Sequence, residues 1–147
     1  MRALVLAALI PACAGGVPPP SSCPGPDGST IQLIGVGAEC SDVAGVVTRY
    51  RDLEAATWGP IPLAGWTVQV VSVADAPVVN GVARYGATYH LVHKVVVVLD
   101  RLDVLPHELH HVALGPDSDG HSGWCSFGAW EFEVLGFDER AYLGCAQ

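Results

Sequence analysis

Basic residues are scarce in this chain: seven Lys plus Arg stand against fifteen Asp plus Glu, a formal charge of -8, and no basic cluster forms anywhere. Such a surface repels phosphate backbones, which excludes nucleic acid as a partner. Long apolar runs are missing too. The stretch from Ala3 to Ile10 falls well short of the roughly 20 apolar residues that span a bilayer. No internal repeat is present, which excludes solenoids and propellers. A length of 147 residues leaves room for one ordinary domain, and the half of it that is apolar is enough for a single core.

What is present begins with an export signal. Met1 to Cys13 has one positive charge at Arg2, a short apolar run, then small residues before a cysteine. Ile10-Pro11-Ala12-Cys13 resembles the lipobox of bacterial lipoproteins, although Pro11 is unusual there. That resemblance implies a signal peptide over residues 1–12, a lipid on Cys13 and an extracytoplasmic, membrane-anchored product; a plain secretory signal is the alternative. Acylation of Cys13 would leave Cys23, Cys40, Cys125 and Cys145 as an even set in an oxidising compartment. Two disulfides are expected, and closing the shorter loops favours Cys23 with Cys40 and Cys125 with Cys145. Residues 13–30, rich in Pro, Gly and Ser, read as a tether, and residues 31–147 as the folded domain.

Along that domain, Ile31–Val36 is a candidate short strand. Ser41 or Asp42 can cap a helix of about four turns in which Val43, Val46, Val47, Tyr50 and Leu53 share a face, ended by Trp58-Gly59-Pro60. Trp66–Val73 alternates as a half-buried strand, and Pro77 to Gly81 turns the chain. Val82–His90, broken by glycine, suits a sheet edge, and Val95–Leu99 is apolar enough for a buried strand. Ala129–Leu135 and Asp138–Leu143 are candidate short helices packing Trp130, Phe132, Leu135 and Tyr142 inward.

The chemistry concentrates in Pro106-His107-Glu108-Leu109-His110-His111. His107 and His111 are four residues apart, so on a helix both rings lie on one face and can close on one metal ion. Glu108 is then placed to act as a general base on a metal-bound water. A shuffled chain of this composition would contain His-Glu-x-x-His about once in a hundred times, so context must support it. It does: a core strand precedes the segment, Asp103 can cap the helix, and Pro106 falls in its first turn.

On those residues the chain resembles the zincin metallopeptidases. The resemblance implies an α/β (α+β) fold with a mixed, mainly antiparallel sheet, a backing helix and an active-site helix. It also implies a zinc ion, Glu108 as catalytic base, and a peptide or protein substrate held on an edge strand. A third zinc ligand is needed. His121, ten residues beyond His111, is favoured; Glu131 and Glu133 on a later helix, or Asp117, are alternatives. The long metzincin pattern is not met, because Gly115 falls one place late and Asp117 occupies the third histidine's position. His110 points away from its neighbours, and His90 with His93 would face opposite sides of a strand. Tyr85, Tyr89 and Tyr142 are unranked candidates for an oxyanion donor. The expectation is a monomeric zinc peptidase of the cell envelope; a non-catalytic metal-binding lipoprotein is the alternative.

Overall fold

The computed structural model describes residues 19–91, 94–116 and 121–145. The signal segment, Cys13, His93 and Asp117 lie outside them. Strands β1 (Ser21–Pro24) and β2 (Thr30–Ile34) lead into helix α1 (Cys40–Trp58) and strand β3 (Thr67–Val71). A small ribbon of β4 (Val78–Val79) and β5 (Val82–Ala83) precedes β6 (Gly86–Tyr89) and β7 (Val95–Leu99). Helices α2 (Leu105–Leu114) and α3 (Cys125–Leu135) complete the fold. The main sheet has the order β1-β2-β3-β7-β6, with β6 at its edge.

The α+β class holds, but the sheet is not mainly antiparallel. β2 with β3 and β3 with β7 are parallel, while β1 with β2 and β6 with β7 are antiparallel. The reason lies in α1: a helix joining two neighbouring strands returns the chain to the end it started from, so β2 and β3 must run the same way.

Period-two alternation decides which sheet face is covered. Ile31 and Leu33, Val68 and Val70, and Val96 and Val98 point to one side. There they pack against Val43 and Val47 of α1 and Leu105, Leu109 and Val112 of α2. Burying each such side chain contributes roughly 1.5–3 kcal/mol, so this layer is what fixes α2 on the sheet. On the other face, Gln32 and Gln69 sit opposite one another and their amides hydrogen-bond at 2.7 Å.

Several local expectations need correction. Ser21–Pro24, inside the stretch read as a tether, is a strand, held by pairing with β2 and by the Cys23–Cys40 disulfide. Neither Ser41 nor Asp42 caps α1. The cap lies two residues before Ser41, with Glu39 at the N-cap and its carbonyl accepting from the Asp42 and Val43 amides. Asp103 does not cap α2 either: it lies in a preceding 3-10 turn, Leu102–Val104, and pairs with Arg101 at 2.7 Å. Pro106 does fall in the first turn.

Val82–His90 is two strands, not one. Asn80 and Gly81 both take positive φ, 52° and 77°, which closes the β4–β5 hairpin and frees β6 to join the main sheet. α3 begins four residues before Ala129 and buries Phe127, Gly128 and Glu131, while Phe132 is 45% exposed. Asp138–Leu143 contains no helix, and Tyr142 is exposed.

Candidate metal and active site

α2 carries His107 and His111 one turn apart on the face turned toward the loop from His121 to Trp124. Ring centroids lie 5.1 Å apart for His107 and His111, 4.8 Å for His107 and His121, and 5.4 Å for His111 and His121. One nitrogen from each ring falls within a 4.8 Å group, and Nε2 of His107 faces Nε2 of His121 at 3.0 Å. Three imidazoles are therefore close enough to hold a metal ion. A tetrahedral ion with bonds of about 2.0–2.1 Å needs its nitrogens roughly 3.3 Å apart, so the donor set fits with small side-chain adjustments.

The expected third histidine is thus brought to the first two. Glu131 and Glu133 are not: Glu131 is buried in a separate cluster and Glu133 is exposed. Trp124, 4% exposed, forms the floor, its ring centroid 5.0, 4.5 and 4.9 Å from those of His107, His111 and His121.

Burial first, then charge repulsion from the neighbouring histidines, lowers the His111 pKa to about 3; burial and His107 lower that of His121, with Glu139 opposing. Both rings are accordingly neutral at physiological pH, the state in which imidazole binds metal. Nδ1 of His107 lies 2.7 Å from Oε2 of Glu139. With Nδ1–H donating to that carboxylate, the lone pair of His107 is directed through Nε2 into the cluster.

Glu108 is 6% exposed and sits between α2 and β6. The Thr88 hydroxyl is 2.7 Å from its Oε2 and 3.0 Å from its backbone oxygen. Gly86 makes this seat possible: a Cβ there would lie 2.6 Å from Oε1 and 2.8 Å from Cγ of Glu108. Burial raises the Glu108 pKa, while the Thr88 hydrogen bond and His107 lower it and Glu139 adds a smaller rise.

Thr88, Gly86 and Glu139 were not visible as site residues in the sequence. The glycine read only as a strand breaker, and Glu139 lies 32 residues from His107. It is delivered by the C-terminal segment, which the Cys125–Cys145 disulfide ties to the start of α3. Tyr142 arrives the same way, its ring 5.8 Å from that of His107 and 5.2 Å from that of His121.

The histidines and Glu108 open into a cleft of about 530 Å³ that runs along β6 from Asn80 to His90. A side lobe of about 230 Å³ continues past Glu108 toward Ala83 and Val104. These volumes fall within or just below the range of small-ligand sites. His90 lines the cleft while its ring packs edge-on against Trp66 at 5.2 Å.

On the opposite side of α2, His110 stacks on Phe127 at 4.0 Å between centroids. Its Nδ1 lies 3.4 Å from Oε2 of Glu54, yet neither atom makes a hydrogen bond. Glu54 and Glu131 are both 0% exposed and all four carboxyl oxygens are unsatisfied. Burial and the charge of Glu131 push Glu54 up to about 9. Burial, with Glu139 and Asp103, does the same for Glu131, and burial lowers His110 to about 4. At neutral pH this cluster is uncharged, so it is not an ion pair.

Both disulfides link the expected partners and are compatible with an extracytoplasmic location. No helix among the described residues is long and apolar enough to cross a membrane. Comparison of the chain with protein-family models, with curated proteins and with solved structures found no match to any of them.

Proposed function

We propose that the chain is a zinc-dependent peptidase of the cell envelope, anchored by a lipid on Cys13. The observation that carries this reading is the convergence of His107, His111 and His121 beside a buried Glu108, all four facing one cleft. Zinc is the ion of choice because an all-imidazole donor set with an open fourth position suits it, where calcium or magnesium would require oxygen ligands. Zinc held there would supply Lewis acidity toward a carbonyl and bring water into the nucleophilic range near neutral pH.

The chain's own residues do the rest. Thr88 occupies Oε2 of Glu108 and leaves Oε1 to take a proton from water and return it to a leaving amine. Burial of that carboxyl moves its pKa from the acid range toward the working pH, which suits a general base. Activity should rise with pH as Glu108 loses its proton. The edge of β6, paired to β7 on one side only, offers backbone groups to an extended peptide lying in the cleft. The pairing of Cys23, Cys40, Cys125 and Cys145 with one another leaves Cys13 as the cysteine available for lipid.

Glu108→Gln tests the base. Zinc content should stay at the wild-type level while cleavage of a quenched-fluorescence peptide library falls by at least about a hundredfold. Full activity in that variant would refute the assigned base. Zinc binding without cleavage by the wild type would favour a metal-binding envelope protein instead.

A further inference from the structure

Among the described residues the cleft is lined by a single Lys or Arg side chain, Arg84, which borders both the main cleft and the side lobe. Every other charged group lining these spaces is a carboxylate or an imidazole, notably Glu108 and Glu139. The guanidinium of Arg84 makes no ion pair or hydrogen bond among the described residues and is exposed. Arg51, Arg101 and Arg140 each have a carboxylate partner. Arg49 and Lys94 also lack a carboxylate partner among the described residues, but neither lines the cleft, so Arg84 is set apart by its position there.

The backbone of Arg84 is fixed in place. Its amide donates to the Pro77 carbonyl at 2.8 Å, which locks the residue to the base of the β4–β5 hairpin. Two residues later the chain enters β6 at Gly86, directly against Glu108. Arg84 therefore stands just beyond the N-terminal end of the strand that faces the base.

We propose that Arg84 is a specificity residue that binds a carboxylate of the peptide, supplied by its free C-terminus or by an acidic side chain. This rests on the peptidase reading of the same cleft. Antiparallel pairing, the commoner arrangement of strands, would run a bound peptide against β6 with its C-terminal half toward Gly86 and Arg84. The carboxylate then lies on the C-terminal side of the bond presented to Glu108, within a residue or two of it. A guanidinium and a carboxylate can form two parallel charge-assisted hydrogen bonds, a geometry that an amide cannot match. Glu139 elsewhere in the cleft would repel that carboxylate, so Arg84, the cationic side chain lining it, sets the register as well as the preference, with the metal as the rival site that the test separates.

The test uses zinc-loaded Glu108→Gln protein, so that binding is read without turnover. Fluorescent hexapeptides are prepared as free acid and as C-terminal amide, and with Glu or Gln near the C-terminus. One of the two carboxylate sources should bind about tenfold tighter than its uncharged twin, weakening with salt. Arg84→Met in the same background should abolish that preference with zinc content unchanged, and Arg84→Glu should reverse it. The acid-versus-amide arm and the Glu-versus-Gln arm identify the source. No carboxylate preference, whether through equal binding or through none, overturns the proposal. So does a preference that survives Arg84→Met, which would place the carboxylate on the metal. If the preference and its loss are found but wild-type protein cleaves none of the peptides, the carboxylate site stands and the peptidase reading falls.

Discussion

Replacing Glu54 by Gln keeps the side-chain volume but removes a proton-binding group from the interior behind α2. In the folded protein burial and Glu131 push this carboxyl up from 4.5 to about 9. A raised pKa means the folded state holds the proton more tightly than the unfolded chain. The stabilisation is therefore complete below about 4.5 and is lost progressively as pH rises toward 9. At pH 7 the unfolded chain is ionised while the folded chain is still protonated. The gap of 7 minus 4.5, at about 1.36 kcal/mol per unit, gives a loss of about 3 kcal/mol relative to acid conditions. Gln does not titrate and escapes that loss. Urea unfolding followed by tryptophan fluorescence, at several values between pH 4.5 and 8, should show the stability of Glu54→Gln gaining on wild type by up to about 3 kcal/mol at pH 7. The difference between the two proteins removes the contribution of the histidines, which titrate in both. Parallel pH profiles would refute the reasoning and mean that Glu54 is not buried without a partner.

Two further perturbations probe the framework of the candidate site. Gly86→Ala places a methyl carbon 2.6 Å from Oε1 of Glu108, so the carboxylate must shift by several tenths of an ångström to 1 Å. A displacement of that size should cut peptide cleavage by about a hundredfold with zinc retained, as read by steady-state rates and metal analysis. Wild-type rates in Gly86→Ala would show that the seat of Glu108 is not needed. Glu139→Ala removes the acceptor from Nδ1 of His107 and should weaken zinc binding by about 10–100-fold in chelator competition, whereas unchanged affinity would rule out this support.

The features legible in the sequence were those set by short spacing. His107 and His111 are one helical turn apart, and His121 follows after a helix-stopping glycine, so local geometry was enough to suggest all three. The two disulfides followed from cysteine parity and loop length. Thr88, Gly86 and Glu139 were hidden because each reaches the site through tertiary packing: β6 is laid against α2 by the sheet, and Glu139 is carried in by a disulfide-tied segment. Ser21–Pro24 looked like tether because its Pro and Ser content is unfavourable for a strand, yet β2 and Cys40 hold it in one. The buried pair of Glu54 and Glu131 was concealed for the opposite reason. Glu54 falls on the polar side of its helix pattern and Glu131 read as an alternative metal ligand, and only the packing of three helices reveals that both are enclosed.

The claim on which the site depends is that three imidazoles, and no carboxylate from α3, hold the ion. Metal analysis of purified wild type, His121→Ala and Glu131→Ala tests it directly. One zinc per chain is expected in wild type and in Glu131→Ala, with most of it lost in His121→Ala. No bound metal in wild type, or zinc that survives His121→Ala but is lost in Glu131→Ala, would contradict the account.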